Sequence, residues 1–267
     1  MKINPSFFRP LNKTLSNWND QKIWIIGGSS GIGLAFAKAC IKKGAKVALT
    51  GRTLEPMRNL EIKYPGKVIA AKADVTIQKD LSDAYNRILM KLGSVDMLVY
   101  LAALYSPMES SDFDQKISID TITVNLTGFL NSIALVLPEF TLKQQGRIVI
   151  VSSVAGYRGL PNSFVYGATK AALINLAETM FLDMREKGVG VHLVNPGFVK
   201  TRLTRKNSFA MPMIIQPQDA AKQIVKGIEM GLFEIHFPKT FTFFLKTMRI
   251  LPYRLYFYLV EFFTKKK

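Results

Sequence analysis

Short, mostly apolar runs alternate along the chain with longer stretches in which apolar and polar positions recur at helical spacing. The apolar runs are KIWII, KVALT, KVIAA, DMLVYL, RIVIVSS and VGVHLVN. Because they offer few polar positions, they predict strands that are covered on both faces, as in a parallel sheet between helices. The pattern therefore predicts an α/β fold with one doubly wound parallel sheet and helices on both of its faces.

Helices are predicted at residues 31–43, near 80–92, in a long stretch that ends near 145, and from about 166 to 186. The sequence contains no internal repeat, low-complexity linker or second set of core segments. We therefore expect residues 1–237 to form a single domain that is followed by an amphipathic helical appendage over residues 238–267.

The end of the appendage, TFTFFLKTMRILPYRLYFYLVEFFTKKK, has the pattern of two amphipathic helices joined at Pro252. Before Pro252, the apolar positions are Phe241, Phe244, Leu245 and Met248, and the opposite side carries Thr242, Lys246 and Arg249. After Pro252, the apolar positions are Leu255, Leu259, Phe262 and Phe263. Each helix is thus expected to have one strongly apolar side.

Charges in the appendage argue against a helix that spans a membrane. Lys246, Arg249 and Arg254 would lie near the middle of the membrane, at a cost of about 2.5–3.5 kcal/mol each. A helix in the plane of the lipid headgroups avoids this cost and turns its cations, including the lysines at 265–267, toward anionic lipid. We expect peripheral membrane contact through residues 240–267; the alternatives are packing on the domain core and a dimer interface.

Composition and charge exclude several classes of protein. With 267 residues, of which 48% are hydrophobic, the chain is neither a disordered segment nor a small disulfide-stabilised domain. The net charge is +17, and 13 of the 36 basic residues but only four of the 19 acidic residues follow residue 199. Nucleic acid is not an expected partner, because these basic residues are interleaved with apolar side chains and no nucleic-acid-binding module is recognisable.

The N-terminal residues do not predict a cleaved signal peptide, because Lys2, Arg9, Lys13 and Asp20 interrupt them. The single cysteine, Cys40, lies in an apolar helical pattern and is expected to be a core residue. We expect a cytoplasmic protein that lies at the membrane surface.

The stretch KIWIIGGSSGIG ends a predicted strand with a turn that has almost no side-chain bulk. The first N–H groups of a helix have no partner within it, and together with the helix dipole they favour a phosphate group. We expect Gly27 to permit the sharp turn, Gly31 to let the backbone approach a pyrophosphate, and Gly33 to let helix and strand pack closely. Ser29 and Ser30 add hydroxyl donors. The context predicts a Rossmann-type dinucleotide site, and an ordinary turn is the alternative.

The second predicted strand ends in VALTGR. A carboxylate near this point would bind the ribose 2′-hydroxyl of NAD, but Gly51 occupies the position and Arg52 follows it. Because a cation suits a 2′-phosphate, NADP is favoured over NAD. An arginine that is merely solvated at a strand end is the alternative.

A candidate catalytic group lies in SSVAGYRGLPNSFVYGATK. Tyr166 and Lys170 are four residues apart, so a helix places both on one face. We expect the Lys170 ammonium to lower the pKa of Tyr166 from about 10 toward the range of a proton-transfer catalyst. Ser153, at the end of a predicted strand, can donate its hydroxyl to the same substrate carbonyl oxygen.

In these motifs the chain resembles the short-chain dehydrogenase/reductase family, over residues 22 to about 201. The family's glycine motif and active-site Ser, Tyr and Lys fall on Gly27, Gly31, Gly33, Ser153, Tyr166 and Lys170. Its catalytic asparagine matches Asn125 in VNLTGF, and its adenine-side Asp-Val matches Asp74 and Val75 in ADVT. PGFVKT, residues 196–201, resembles the loop that covers the nicotinamide.

The resemblance implies that NADPH gives a hydride to a ketone carbon while Tyr166 protonates the oxygen that Ser153 orients. It also implies that Lys170 lowers the pKa of Tyr166 and holds the nicotinamide ribose, and that Asn125 holds a water that connects Lys170 to solvent. The implied cofactor-binding residues are Gly27, Ser29, Ser30, Gly31, Ile32, Gly33, Arg52, Asp74, Val75, Ala102, Tyr166, Lys170, Pro196, Gly197, Val199 and Thr201.

No metal site is predicted. The histidines, His192 and His236, lie in apolar strand-like runs and are expected to be packed and hydrogen-bonded. No cluster of carboxylates and histidines has the spacing of metal ligands.

The chain departs from the family's pattern at two places. Where the family has Asn-Asn-Ala-Gly after the fourth strand, this chain has Tyr100, Leu101, Ala102 and Ala103, and Ile26 replaces the usual threonine before the first glycine. Both changes remove hydrogen bonds that steady the cofactor site. The residues that transfer the proton are kept.

Because of its aromatic appendage, the chain resembles membrane-associated, lipid-handling family members, such as those that reduce 3-keto-sphingoid bases, long-chain acyl ketones or steroids. The predicted function is therefore NADP-dependent hydride transfer to or from a carbonyl or hydroxyl group of a hydrophobic, lipid-like small molecule. Residues 202–216 are expected to form a mobile substrate lid.

Two other functions stay open: a non-catalytic NADP-sensing protein, and a reductase of a small soluble ketone whose appendage is an oligomer interface. Because family members often form dimers or tetramers through two long helices, a homo-oligomer is open as well.

Overall fold

In the computed structural model, which describes residues 9–207, 209 and 211–264, seven strands form one fully parallel sheet. The strands are β1 (Lys22–Ile26), β2 (Lys46–Gly51), β3 (Val68–Lys72), β4 (Met97–Tyr100), β5 (Gly146–Val151), β6 (Val189–Pro196) and β7 (Glu234–Phe237). Their order across the sheet is β3-β2-β1-β4-β5-β6-β7. The chain thus winds outward from β1 in one direction and from β4 in the other.

The helices of the described part lie between and after these strands. They are α1 (Gly31–Lys42), α2 (Glu55–Lys63), α3 (Gln78–Leu92), α4 (Gln115–Ile122), α5 (Gly128–Lys143), α6 (Phe164–Met184), α7 (Pro217–Glu229), α8 (Lys239–Arg249) and α9 (Tyr253–Thr264). The predicted fold class is confirmed. Helices α2 and α7 were not predicted: the buried face of α2 has only two residues, and in α7 alanine and glycine interrupt the larger side chains Ile224, Val225 and Ile228.

Alternate side chains of each strand enter two separate cores. Ile23 and Ile25 of β1 pack with α1, α2 and α7, whereas Trp24 and Ile26 pack with α3, α5 and α6. All four side chains are fully buried. Because complete burial of a large apolar side chain contributes about 1.5–3 kcal/mol, this two-sided burial fixes the register of the central strand.

The predicted long helical stretch is α4, a π-helical segment (Thr123–Thr127) and α5 in succession. This run, Gln115–Lys143, is long and apolar enough to span a membrane by length and composition. However, Phe129 and Val136 of α5 are fully buried in the second core. One side of α5 therefore packs against the protein core.

Two helices joined at Pro252 are confirmed by α8 and α9, but the side chains that pack on the protein are not those of a single predicted side. Thr242, expected on the polar side of α8, is fully buried, and its hydroxyl contacts Nδ1 of His236 at 2.6 Å. Phe244, on the predicted apolar side, is 42% exposed. Hydrogen bonds to the sheet edge, which hydrophobic spacing does not report, decide which side of α8 packs inward.

Helix α9 shows the same difference. Its buried side chains are Tyr256 and Val260, which pack with Met248 of α8, whereas the predicted apolar positions Phe262 and Phe263 are more than half exposed. The lysines at 265–267 lie outside the described residues. Strand β7 ends at the predicted domain boundary, and the separation of residues 238–267 as a unit stays a prediction.

Candidate active site

A cleft opens at the carboxyl ends of the strands, at the point where the winding direction changes between β1 and β4. Loops that leave these two strands run in opposite directions, which creates a crevice at this edge of a doubly wound sheet. The cleft has a volume of about 390 Å³. Its walls include Ser153 and all of the predicted cofactor-binding residues, namely Gly27, Ser29, Ser30, Gly31, Ile32, Gly33, Arg52, Asp74, Val75, Ala102, Tyr166, Lys170, Pro196, Gly197, Val199 and Thr201.

The glycine turn after β1 has the shape that was predicted from its lack of side chains. Gly27 has a φ of +89°, and a Cβ atom there would lie 2.6 Å from the backbone nitrogen of Ala102. At Gly33, a Cβ atom would lie 2.3 Å from the carbonyl oxygen of Gly27. Gly31, with a φ of +55°, faces the side chain of Thr201. Only glycine therefore permits this close approach of β1, β4 and α1.

The amino end of α1 carries the features of an anion site. Its first turn contains no acidic residue, and its first N–H groups have no acceptor within the helix. Ser30 precedes the helix, and its hydroxyl accepts a hydrogen bond from Nη2 of Arg202 at 2.8 Å. Arg202 was not predicted as a site residue, although its position directly after PGFVKT was a signal that could have identified it.

The end of β2 forms the neighbouring part of the cleft wall. Gly51 lies against Ser29, since a Cβ atom on Gly51 would be 3.1 Å from the Ser29 hydroxyl oxygen. The exposed side chain of Arg52 and that of Thr53 follow. Just after the adjacent strand β3, Asp74 accepts hydrogen bonds at Oδ1 from the backbone N–H and the hydroxyl of Thr76.

At the other end of the cleft, the structure brings Ser153, Tyr166 and Lys170 together. Ser153 follows β5, where its hydroxyl accepts a hydrogen bond from the N–H of Ala155. Tyr166 and Lys170 lie one turn apart on α6, and Nζ of Lys170 is 5.6 Å from the centre of the Tyr166 ring. Lys170 donates to the carbonyl oxygen of Val151 at 3.0 Å.

The electrostatics of this group differ from the prediction. Burial raises the pKa of Tyr166 to about 12, and the Ser153 hydroxyl offsets only part of this shift. Burial also lowers the pKa of Lys170 to about 7. The net shift of the Tyr166 pKa is therefore upward and not downward as predicted, because withdrawal from water disfavours the charged forms of both side chains.

Asn125 lies behind the cleft wall, fully buried in the π-helical segment. Its amide group donates to the carbonyl oxygen of Leu104 and to the hydroxyl of Thr169, each at 3.0 Å. Its oxygen accepts from the N–H of Leu104 at 2.7 Å. Because both N–H groups are engaged, the side chain holds the backbone of Leu104 at the cleft. The water that Asn125 is expected to hold stays a prediction.

Tyr100, which stands where the family has an asparagine, forms a hydrogen bond that the family's pattern lacks. The Tyr100 hydroxyl donates to the carbonyl oxygen of Val124, next to Asn125, and the ring packs edge-on against Phe129. Leu101 donates its N–H to the carbonyl oxygen of Ile26. Backbone and tyrosine contacts thus connect β4 with its neighbours where the family's asparagine is absent.

Tyr105 is a residue of the cleft that the sequence analysis missed. Its ring packs edge-on against Tyr166, with 4.7 Å between the ring centres. Its hydroxyl donates to Asn207 at 2.7 Å, and its carbonyl oxygen accepts from Nζ of Lys206 at 2.8 Å. Both partners belong to the predicted lid, of which residues 208 and 210 lie outside the described part. Tyr105 therefore connects Tyr166 with that segment, a contact without a sequence motif.

The histidines are packed and hydrogen-bonded, as predicted. Nδ1 of His192 donates to the carbonyl oxygen of Leu232, and burial lowers the pKa of His192 to about 4. His236 contacts the Thr242 hydroxyl. Cys40 is fully buried. Within the described residues, no three His, Cys, Asp or Glu side chains are grouped so that they could hold a metal ion.

Comparison with known proteins connects this cleft with a family of enzymes. The model of the short chain dehydrogenase family matches residues 21–211, which include the glycine turn, Ser153, Tyr166 and Lys170. An uncharacterized oxidoreductase of Myxococcus xanthus is 30% identical over 236 residues, covering 85% of this chain and 91% of the relative.

Further relatives and a solved structure agree with this match. The 3-oxoacyl-[acyl-carrier-protein] reductase of Buchnera aphidicola is 30% identical over 195 residues, covering 71% of this chain and 78% of the relative. The crystal structure of a short-chain dehydrogenase from Streptomyces avermitilis aligns with a TM-score of 0.78, covering 92% of this chain and 98% of that one. At 21% identity, this likeness supports the fold.

We predict that Lys170→Met stabilises the protein without cofactor. The pKa of Lys170 is about 7 in the folded protein and 10.5 in an unperturbed lysine, so the unfolded chain binds more protons between these pH values. The cost of burying the amine is therefore full below pH 7 and declines as the pH rises toward 10.5. Thermal unfolding should show a rise in Tm of roughly 3 °C or more at pH 6–7, since 1 kcal/mol shifts Tm by about 2–4 °C in domains of this size.

The exposed Lys91→Met is the matched control and should change Tm little at any pH. A Tm of Lys170→Met that is equal to or below that of the unmodified protein at pH 6, or a gain that does not shrink at pH 9–10, contradicts the prediction.

Proposed function

Because the chain belongs to the short-chain dehydrogenase family, we propose that it is an NADP-dependent oxidoreductase that acts on a carbonyl or hydroxyl group of a hydrophobic, lipid-like molecule. Oxidoreductase activity is the family's chemistry. The observation that carries the proposal is the cleft itself, in which a bare glycine turn lies at one end and Ser153, Tyr166 and Lys170 lie at the other.

The residues of the cleft fit a nicotinamide dinucleotide. Amide N–H groups of α1, the hydroxyl of Ser30 and the guanidinium of Arg202 suit a pyrophosphate. Arg52 lies at the end of β2, where a 2′-phosphate would need a cation and where Gly51 leaves no carboxylate to repel it. This charge arrangement supports NADP over NAD. When bound, the cofactor supplies or accepts the hydride.

Tyr166 is the proposed proton donor. Because burial raises its pKa to about 12, Tyr166 keeps its proton at neutral pH and can donate a hydrogen bond to a ketone oxygen. As negative charge develops on that oxygen, the proton moves from the phenol to it, and Ser153 donates a hydrogen bond to the same oxygen. The phenolate that remains is stabilised by Lys170 in its ammonium form. A phenol that is held protonated favours the reducing direction.

The walls around Tyr166 support a hydrophobic substrate. Leu104, Tyr105 and Leu203 line this end of the cleft. Phe198, next to the cleft residues Gly197 and Val199, packs edge-on against Phe209 and at a tilt against Phe241, with 5.8 and 5.6 Å between ring centres. The Buchnera relative is named as a reductase of 3-oxoacyl groups, which makes a keto-acyl chain one candidate within this class.

The exposed side of the C-terminal helices supports contact with a membrane. We call it the tail surface; its large exposed apolar side chains are Phe243, Phe244, Ile250, Tyr253, Leu255, Phe257, Tyr258, Phe262 and Phe263. Exposed cations, Lys239, Arg249 and Arg254, lie beside them. Aromatic side chains with adjacent cations suit the boundary between acyl chains and anionic headgroups. We propose a peripheral location on the cytoplasmic side of a membrane, and a dimer interface is the competing use of this surface.

Tyr166→Phe tests the enzymatic proposal, because it removes the proton donor and leaves the ring in place. Purified protein in detergent is assayed for cofactor oxidation with keto-lipids, ketosteroids and short ketones, using NADPH and NADH side by side. We expect the unmodified protein to prefer a hydrophobic ketone and Tyr166→Phe to lower kcat about 10²–10⁴-fold. Cofactor Kd, measured by fluorescence titration, should change little. Binding of NADP without turnover of any ketone would favour the sensing function instead.

Arg52→Asp tests the cofactor preference. A charge-assisted hydrogen bond is worth about 1.5–3 kcal/mol, so the substitution should raise the Kd of NADPH roughly 10- to 100-fold and leave that of NADH nearly unchanged. Isothermal titration measures both constants. Arg58→Asp, on α2 and outside the cleft, makes the same charge change and should affect neither. Equal effects on both cofactors would count against a 2′-phosphate contact at Arg52.

Tyr258→Ser combined with Phe262→Ser tests membrane contact. These side chains are four residues apart on α9 and 65% and 67% exposed, so the change removes apolar area without opening the core. We expect co-sedimentation with phosphatidylserine-containing vesicles to fall at least fivefold. The control, Met90→Ser with Leu142→Ser, removes two even more exposed apolar side chains elsewhere, at 79% and 85%, and should leave binding intact. Unchanged vesicle binding together with a loss of dimer in sedimentation velocity would identify the tail surface as an oligomer interface.

A further inference from the structure

The segment at residues 154–163 connects Ser153 with the start of the helix that carries Tyr166. Apart from a 3₁₀ turn, Val154–Gly156, it is irregular, and it contains Gly159 and Pro161. An irregular segment of this kind is fixed only by contacts with its surroundings. Its contacts therefore determine how firmly Ser153 and Tyr166 are held relative to each other.

Arg158, in the middle of this segment, reaches the carboxyl end of α8. Its Nη1 donates to the carbonyl oxygens of Met248, Arg249 and Leu251 at 2.9, 3.2 and 2.7 Å. The last carbonyl groups of a helix have no partner within the helix, and they form the negative end of its dipole. A guanidinium at this position satisfies acceptors that would otherwise need water.

The same guanidinium also contacts α9. It lies 4.0 Å from the ring centre of Tyr256 and 4.7 Å from that of Tyr253, within the range of cation–π attraction. Tyr256 in turn donates its hydroxyl to the carbonyl oxygen of Gly159. The segment therefore contacts α8 through Arg158 and contacts α9 through Arg158 and Gly159.

A second connection runs beside the first. Tyr157 donates its hydroxyl to Glu234 at 2.6 Å, and Glu234 also accepts hydrogen bonds from Lys246 of α8 and from Asn195. Burial raises the pKa of Glu234, but the hydrogen bonds from Lys246, Tyr157 and Asn195 lower it further than burial raises it. The ionised carboxylate thus holds α8 to the segment and to β6, just before Pro196 in the cleft wall.

The far end of the segment is attached to the cleft. Met108 exchanges backbone hydrogen bonds with the segment, donating to the carbonyl oxygen of Asn162 and accepting from the N–H of Phe164. Met108 follows the stretch that carries Leu104 and Tyr105 in the cleft wall. The segment and the start of α6 are therefore hydrogen-bonded to the stretch that carries Leu104 and Tyr105.

From these contacts we propose that Arg158 is a positioning residue through which α8 and α9 hold the segment between Ser153 and Tyr166 in its active geometry. The proposal rests on the proposed function in one respect, since it takes Ser153 and Tyr166 as the groups that face the substrate. It assigns the C-terminal helices a part in catalysis that does not depend on what covers the tail surface. Arg158 itself touches neither cofactor nor substrate in this assignment.

The test compares Arg158→Ala with Arg58→Ala, which removes an exposed arginine from α2, outside the cleft. With a ketone turned over by the unmodified protein, Arg158→Ala should lower kcat/KM at least tenfold, with a rise in KM, while the Kd of NADPH stays within twofold. The glycine turn proposed to bind the cofactor lies at the opposite end of the cleft, so we expect it to be unaffected. Arg58→Ala should change none of these quantities.

Arg158→Lys separates positioning from simple loss of packing. Lysine restores a cation at the end of α8 but not the planar stacking on Tyr253 and Tyr256, so kcat/KM should recover only in part. If Arg158→Ala fails to fold, Tyr256→Phe replaces it, since this change removes only the hydroxyl contact with Gly159 and should lower kcat/KM about two- to fivefold.

Hydrogen exchange of the full-length protein supplies a readout that needs no substrate. Amides at residues 154–163 should exchange at least tenfold faster in Arg158→Ala than in the unmodified protein, and those of α1 should not. Unchanged exchange in this segment, or kcat/KM within twofold of the unmodified protein, overturns the proposal. Absence of turnover by the unmodified protein would instead count against the proposed function, and exchange would still decide the role of Arg158.

Discussion

Withdrawal of Tyr166 and Lys170 from water is the physical constraint on which the chemistry of this cleft depends. Burial is the largest cause of both pKa shifts, and it acts in opposite directions on an acid and a base. It keeps the phenol protonated and leaves the amine close to its titration point at neutral pH. Burying this amine lowers the stability of the folded state, a cost that proteins accept at functional sites.

The opposite end of the cleft meets a different requirement. The proposed anion site there would use backbone amides, the Ser30 hydroxyl and the Arg202 guanidinium, and these can approach a ligand only because the turn is free of side chains. The glycine turn follows β1 and Ser153 follows β5, so the parallel sheet sets the distance between the two ends. The fold therefore places the proposed anion site and the proposed proton donor in one crevice.

Local patterns predicted most of this arrangement, and long-range contacts account for what they missed. The strands follow from burial on both faces, the glycine turn from backbone geometry, and the pair Tyr166 and Lys170 from helical spacing. Each of these signals is contained within a few neighbouring residues of the sequence. The inward side of α8 depends instead on where Thr242 meets His236, and the position of Tyr105 depends on the lid. Such pairings form only in the folded chain, and so does the burial that shifts the pKa of Tyr166.

Not all of the positive charge that the sequence places in or next to the C-terminal helices is available to a partner. Lys246 is engaged with Glu234, and Arg158 is directed at the carbonyl groups of α8 instead of at solvent. Among the described cations next to the tail surface, Lys239, Arg249 and Arg254 are exposed, against nine large apolar side chains. Since burial of apolar area is insensitive to salt whereas exposed charges are screened within about 10 Å at 0.1 M, attachment through this surface would owe more to its aromatic side chains than to its charge.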